Sequence, residues 1–303
     1  MNPYRLILTR SAQTAEEATA ALAQALTDAD AIVVGVGAGM STSAGFTYTG
    51  ERFRAVFGDF IDTYGFTDMY SAGFYPFETP EELWAFWSRY IWCNRYTRPP
   101  KDTYEVLVGI LARLQKEYFV ITTNVDHQFQ PAGLPKERLF YTQGDYGLWQ
   151  CSVPCHARTY DNHDTVQRMM EEQRDMRVPS ELVPLCPVCG KPMSMNLRAD
   201  DTFVEDEGWH EASARYQAFL DAHTSGKVLY LELGVGFNTP IIIKYPFWQR
   251  TAENPEATFA CINWNEAYTL RDIANRSIVI EGDIDEVLRK VDAALDPEPC
   301  EQV

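Results

Sequence analysis

Residues 32–46, IVVGVGAGMSTSAGF, constrain the fold more than any other part of the chain. A run of apolar β-formers leads straight into Gly35, Gly37 and Gly39, and Ser41, Thr42 and Ser43 stand where a helix should begin. A buried strand that ends in a glycine turn and a hydroxyl-rich helix start presents backbone N–H groups to an anion, which is how a pyrophosphate is cradled. Glycine suits that place because a Cβ would hold the ligand away from the backbone. The same glycines would also serve a turn that packs a helix onto a sheet. The spacing departs from the usual G-x-G-x-x-G fingerprint, since the glycines fall at 35, 37, 39 and 45. Asp59 lies near the distance expected of a ribose-binding acid, but its surroundings, GDFIDTYGF, do not read as a second parallel strand. The loop is of nucleotide type without being that of an ordinary dehydrogenase.

The chain of 303 residues is long enough to bury a large core. Its 26 Lys and Arg against 43 Asp and Glu give a formal charge of −17, which argues against a general nucleic-acid surface and against docking on an anionic membrane. The N-terminal MNPYRLILTR lacks a continuous apolar stretch of secretory length, and no run approaches a membrane span. Seven cysteines, four of them at metal-like spacing, favour a reducing cytoplasmic setting over a disulfide scaffold.

TAEEATAALAQALTDA predicts a helix that feeds a strand at 31–36. Residues 48–96 are rich in aromatic rings and predict a small helical cap, with Pro80, Glu81 and Glu82 marking a helix start; its segment 64–96 is a candidate entrance for a second substrate. Leu107, Ile110, Leu111 and Leu114 recur at helical spacing in 102–114. YFVITTNVD (118–126) and RLFYTQGDYG read as strands that turn polar at their C-terminal ends, where open parallel sheets place their ligands. Asn124, Asp126, Gln143 and Asp145 are therefore candidate site residues. The βα rhythm stops from 151 to about 206 and resumes with VLYLELGVGFNTP, ATFACIN and RSIVIEGD; IDEVLRKVDAAL closes the chain as a helix, and DPEPCEQV with Cys300 reads as a loose tail.

Within the interruption, Cys151-x3-Cys155 and Cys186-x2-Cys189 form two ligand pairs. Zinc favours tetrahedral thiolate coordination, and four thiolates leave no open position, so the expectation is a structural zinc site. His156 neighbours a ligand without being one, and Cys93 and Cys261 read as core residues.

In this order, GAGMSTSAG, TTNVD, TQGDYG, the paired cysteines and the late GVGFNTP resemble a sirtuin-type NAD-dependent enzyme, and more closely the class M branch linked to macrodomain proteins. The resemblance spans residues 10–295. It implies an α/β fold: a Rossmann-like parallel sheet with an inserted small zinc-binding and helical module. Residues 1–48, 97–150 and 207–297 would form the NAD-binding domain, and 49–96 and 151–206 the small domain. By the same resemblance, Gly37, Ala38, Gly39 and Ser41 line the phosphate and ribose region, and Tyr48 and Arg52 are available beside it. Asn124 and Asp126 flank nicotinamide and its ribose. Gly234 and Gly236 face the adenine ribose, and Asn263 and Asp283 approach the adenosine half.

Departures from the family pattern bear on the reaction. Deacylating sirtuins carry a histidine where this chain has Gln143. Histidine accepts a proton near neutral pH, whereas a glutamine amide orients a hydroxyl but cannot act as that base. His127, on another strand end, and His156, in the cysteine segment, do not obviously replace it. GFTYTGERF lacks the family's proline, and ADDTFVEDEG, with Glu205 and Glu207, replaces its acyl-peptide element. Class M enzymes share these replacements. The resemblance thus implies ADP-ribose transfer, with release of nicotinamide, to a lipoylated carrier related to the glycine-cleavage H protein. A macrodomain hydrolase would remove the mark. Deacylation, NAD glycohydrolysis and non-catalytic NAD sensing are the alternatives.

Overall fold

The computed structural model describes residues 7–10 and 13–295; the C-terminal tail with Cys300, expected to be loose, lies outside the described residues. β1 (Leu8–Thr9) precedes α1 (Ala15–Asp28), which a capping box of Thr14 and Glu17 starts. β2 (Ala31–Val36) is buried along its length, as a strand covered on both faces must be. Then come α2 (Ala38–Ser43), α3 (Gly50–Tyr64), α4 (Met69–Ala72) and α5 (Pro80–Ile91), a π turn at Trp92–Tyr96, and α6 (Thr103–Leu114). β3 (Glu117–Thr122) and β4 (Leu139–Tyr141) follow. After them come β5 (Gly144–Cys151), β6 (Tyr160–Asp161), α7 (His163–Glu172) and β7 (Met193–Leu197). α8 (Glu207–Ala222), β8 (Val228–Leu233), α9 (Lys244–Glu253) and β9 (Thr258–Asn263) lead to β10 (Thr269–Leu270), β11 (Ser277–Glu281) and α10 (Ile284–Leu295).

Six strands form a parallel sheet in the order β11-β9-β8-β2-β3-β4. From β2 the chain proceeds outward through β3 and β4, and later returns to β8 on the other side. The reversal puts a crevice between the C-terminal ends of β2 and β8. Gly37 N–H donates to Leu233 O at 2.9 Å and Gly39 N–H to Gly234 O at 3.0 Å. A Cβ on Gly39 would lie 2.7 Å from Gly234 Cα, and one on Gly234 only 2.6 Å from Gly39 Cα. Gly234 also has φ +63°, a conformation that favours glycine. These glycines are needed first because two loops touch backbone to backbone.

β3 stops at Thr122, short of the extended stretch expected through 126. Thr122 Oγ1 accepts the Asn124 N–H at 3.0 Å, and Thr123 N–H donates back to Val36 O at 3.0 Å, so side chain and turn take over the ladder's hydrogen bonds. β5 starts only two residues after β4 and crosses the boundary drawn at 150. It is the central strand of a second, antiparallel sheet of order β6-β5-β7. The aromatic region packs on that sheet as helices. Phe57, Phe60 and Phe86 are wholly buried, and Trp84 meets Trp149 edge-on with ring centroids 5.1 Å apart. Most of the region is thus core, each buried ring contributing roughly 1.5–3 kcal/mol. Tyr70 and Phe74 remain exposed.

Gly234→Ala should destabilise the protein by about 2–4 kcal/mol, combining overpacking with an unfavourable φ. Gly236→Ala, whose Cβ would meet only Glu266 Oε2 at 3.2 Å, should have a small effect. Urea unfolding of both variants checks this; equal losses would contradict the backbone-contact account.

Candidate active site

The loops that leave the C-terminal ends of β2, β3 and β4 bring the central candidates together. Ser41, on α2, donates its hydroxyl to Asp126 Oδ2 at 2.5 Å. The same oxygen accepts from Asn124 Nδ2 at 3.0 Å and lies 2.9 Å from the Tyr104 hydroxyl. Asn124 Nδ2 also donates to Gly37 O at 3.0 Å, tying the loop after β3 to the glycine turn. Ser41 thus uses its one proton and both lone pairs within a single network. Asp126 is 7% exposed, and its other oxygen accepts the Gln128 N–H at 3.4 Å. Burial pushes the Asp126 carboxyl up to about 6, with the Ser41 hydrogen bond pulling the other way. A buried carboxylate that ionises near neutrality marks a working site more often than a scaffold.

Gln143 stands half-buried between β4 and β5; its backbone carbonyl accepts the Arg198 N–H. Asp145, also a candidate from the sequence, is already occupied. Its Oδ1 accepts from Arg95 Nε at 2.8 Å and from Gly147 N–H at 2.6 Å, and its Oδ2 faces His127 Nδ1 at 3.3 Å. His127 lies closer to this strand end than its sequence position suggested.

The glycine turn is less open than its sequence implies, because the Gly37 and Gly39 N–H groups are bound across the crevice. Ala38 is exposed, and among the described residues its N–H meets no acceptor, so the turn keeps a donor for an anion. Arg52 is already committed: it donates to Thr47 O at 3.0 Å, to Cys93 O at 2.6 Å and to Asn94 Oδ1 at 3.0 Å, and stacks over Phe46. Tyr48 is packed against Tyr90 with centroids 6.2 Å apart, and burial and the nearby Asp126 raise its hydroxyl above the usual range. On the other side of the crevice, Asn263 Nδ2 donates to Val235 O at 3.2 Å, knitting the loops after β8 and β9. Trp264 follows with 65% of its surface open, an aromatic face at the strand ends. Asp283 caps α10 through the Glu286 N–H and accepts the Ser43 hydroxyl at 2.9 Å.

Sequence reasoning missed Tyr104 and Arg95, and it set His127 aside as a residue of another strand end. Tyr104 shares the helical face of Leu107 and Leu111 and therefore reads as core, which for its ring it is.

Cys151, Cys155, Cys186 and Cys189 place their sulfurs within 4.8 Å of one another. The sulfurs of Cys151 and Cys189 are 3.6 Å apart and those of Cys155 and Cys186 3.7 Å, too long for disulfides. A tetrahedral ion with metal–sulfur bonds of about 2.3 Å requires sulfurs roughly 3.8 Å apart, so the cluster fits a metal. His156 Nε2 lies 3.5 Å from Cys186 Sγ, a hydrogen-bonding neighbour of the cluster. Cys93 and Cys261 are buried, and desolvation raises both thiols, Cys93 to about 11, which makes them inert core residues.

No family model matches the chain. A protein ADP-ribosyltransferase of Staphylococcus aureus (strain Mu50) is 44% identical over 265 residues, covering 87% of this chain and 83% of that protein. A probable bifunctional ADP-ribose hydrolase/ADP-ribosyltransferase of Fusarium oxysporum f. sp. cubense is 31% identical over 235 residues, 73% of this chain and 38% of the fungal protein. A solved Sir2 protein bound to a propionylated peptide superposes with a TM-score of 0.58 at 21% identity, covering 89% of this chain and 95% of that one. A Sir2 complex with a p53 peptide and NAD+ gives 0.57 at 20% identity, with 89% and 95% covered. The parallel sheet with its inserted helical and cysteine-cluster module is thus a sirtuin-like fold, as the sequence led us to expect. Among the described residues, no helix is long and apolar enough to cross a membrane.

Two outcomes are expected here. Cys186→Ser should lose bound metal, read by elemental analysis, and melt lower; full metal content with unchanged melting would remove the metal assignment. Asp126 ionises in the fold at a higher pH than an unfolded aspartate, whose value is about 3.9, so it favours the fold below that and weighs against it as pH rises through about 6. Asp126→Asn should therefore melt above the wild type at pH 8, with the difference vanishing toward pH 4. A difference independent of pH would show that burial of the charge is not its cause.

Proposed function

The chain belongs to the family of the staphylococcal protein ADP-ribosyltransferase, on a sirtuin-like fold, and on that premise we propose that it transfers ADP-ribose from NAD to a protein and releases nicotinamide. The observation that carries this reading is the pairing of a buried, ionisable Asp126 with an amide, Gln143, at neighbouring strand ends. NAD, as the substrate, supplies an electrophilic ribose carbon once its bond to nicotinamide weakens. The 37–39 turn and Ser41 would hold its phosphates and ribose, and Gly234, Gly236 and Asn263 its adenosine half. Asp283 and Arg52 would act on it from behind, by holding α10 and the 46–49 loop in place. Trp264 offers a face for a planar base.

Above pH 6 or so, Asp126 presents negative charge in a site largely closed to water. Fixed charge of that kind stabilises positive charge that develops during bond cleavage. Asn124 and Ser41 fix its position, so little reorganisation is needed at that moment. Gln143 can orient ribose hydroxyls or the incoming acceptor, but cannot take their proton. Bringing acceptor and NAD together supplies much of the remaining rate. The four-cysteine cluster would hold zinc in a structural role. We further assign the chain to the macrodomain-linked branch, acting in the cytoplasm on a lipoylated H-like carrier, with a macrodomain hydrolase as its functional counterpart. The division into 1–48, 97–150 and 207–297 against 49–96 and 151–206 belongs to the same reading.

The acyl-peptide complexes among the structural neighbours favour a second reading, NAD-dependent deacylation. Those likenesses of about 20% identity carry the fold, whereas the 44% relative carries the transferase reading. One assay separates them: labelled NAD with the lipoylated carrier and with an acyl-lysine peptide, following nicotinamide, acceptor mass and acyl loss together. Nicotinamide release with a carrier heavier by one ADP-ribose is expected. Gln143→Ala should lower transfer at least about tenfold with NAD binding little changed. Acyl loss at a comparable rate, with no gain in carrier mass, would instead establish the deacylase; nicotinamide release with neither would indicate a glycohydrolase.

A further inference from the structure

Behind the 124–126 loop, three side chains meet in one buried layer, of which the sequence marks only Asp145 as a candidate. Arg95 comes from the π turn of the helical module, His127 follows Asp126 directly, and Asp145 lies two residues beyond Gln143. Arg95 Nε donates to Asp145 Oδ1 at 2.8 Å, while its Nη2 donates to Gln130 Oε1 at 3.1 Å. His127 Nδ1 is 2.9 Å from Gln130 Nε2 and 3.3 Å from Asp145 Oδ2. The side chains of His127 and Asp145 are 1% and 7% exposed, and that of Arg95 16%. His127 has φ +53°, a left-handed conformation that a non-glycine residue keeps only when its surroundings impose it. Burial pushes its imidazole down to about 4, so it is uncharged at neutral pH.

We propose that the ion pair of Arg95 and Asp145, clasped to His127, is a positioning device that holds the strand end following Gln143 against the 124–126 loop, where the Tyr146 N–H donates to Val125 O at 2.9 Å, and so fixes the surroundings of Asp126. It deepens the functional reading above and rests on Asp126 being the carboxylate that acts at the nicotinamide end. Neither Arg95 nor Asp145 is a catalytic residue in this account. The π turn is what delivers Arg95: its extra residue per turn re-aims the helix end, as such turns do beside functional sites. Gln128 Nε2 fastens that turn to the same loop by donating to Asn94 O at 2.9 Å. The helical module, the loop after β3 and the start of β5 are therefore held by one set of contacts.

Asp126 is faced by Ser41 on α2, Tyr104 on α6, Tyr48 before α3, His127 and the Gln128 N–H on its own loop, Arg95 on the π turn and Asp145 on β5. Arg95 favours its ionised form and Asp145 opposes it. Neutralising them one at a time must move Asp126 in opposite directions, which a merely structural role would not do.

The test is a carbon-13 NMR titration of the full-length protein labelled at aspartate carboxyls, with the Asp126 resonance assigned by its loss in Asp126→Asn. The midpoint, near 6 in the wild type, should fall in Asp145→Asn and rise in Arg95→Gln, each by roughly half a pH unit or more. Arg95→Lys should return it toward the wild type. The acid limb of nicotinamide release from NAD should move with the midpoint. Midpoints that stay put, or move the same way in both variants, overturn the proposal. Should Asp145→Asn fail to fold, the contrast between Arg95→Gln and Arg95→Lys decides alone. A wild type that titrates as expected yet neither binds NAD nor releases nicotinamide defeats the functional reading, whereas unmoved midpoints in an active enzyme defeat only the positioning role.

Discussion

Two neighbouring parallel strands can let their outgoing loops touch only if neither loop carries a side chain at the point of contact. The meeting of Gly37 and Gly39 with Gly234 is that contact, and the rest of the site is arranged around it. It closes the crevice between β2 and β8 from below, which leaves the exposed Ala38 as the outward face of the turn. It also fixes the start of α2, and with it the direction in which Ser41 points. From Ser41 a short chain of hydrogen bonds runs to Asn124, Tyr104 and Asp126, so the loop after β3 takes its register from the glycines.

That arrangement places a carboxyl where water is scarce, at a cost to the stability of the empty protein. A scaffold would gain by replacing it; a site that must meet positive charge in its substrate gains by keeping it. The same trade is visible at Glu232 and Lys244, a wholly buried ion pair on β8 and α9, but there the opposite charge is supplied by the protein itself at 2.5 Å. Asp126 has hydrogen-bond donors around it and, among the described residues, no cation in direct contact, Arg95 acting on it only through space.

Much of the sheet was legible because its strands are short apolar runs that end in polar or glycine residues. Of the residues read at those ends, Asn124 and Asp126 meet through Ser41, while Asn263 and Asp283 bond to their own neighbouring loops. The cysteine cluster was legible from spacing alone. What could not be read was contact between segments far apart in the chain. Arg95 sits among aromatic residues and carries no pattern that points to Asp145, fifty positions away. Tyr104 hides in a helix whose periodicity announces only a packed face. The glycine turn was legible in kind but not in cause, since sequence cannot distinguish room left for a ligand from room left for another backbone.

β5 gives the inserted module a consequence for the site. It begins at Gly144, directly after Gln143, and ends at Cys151, so a candidate site residue and one cysteine of the cluster lie at the two ends of one strand of eight residues. Gly144 has φ +100°, and a Cβ there would fall 1.9 Å from Asn196 O on β7, so the start of the strand is held by backbone contact with its neighbour. At the other end its position follows from the four sulfurs. Between Asp145 and Trp149 the ladder with β7 shifts register, so the two ends of β5 are held separately: Gly144 and Asp145 opposite Leu197 and Asn196, and Trp149 to Cys151 opposite Met195 to Met193. The bulge separates the cysteine end of β5 from its start, so the place of Gln143 is decided locally, by the backbone pairing of Gly144 and Asp145 with β7, by the Arg198 N–H on the Gln143 carbonyl and by the Arg95–Asp145 ion pair sent from the aromatic helices.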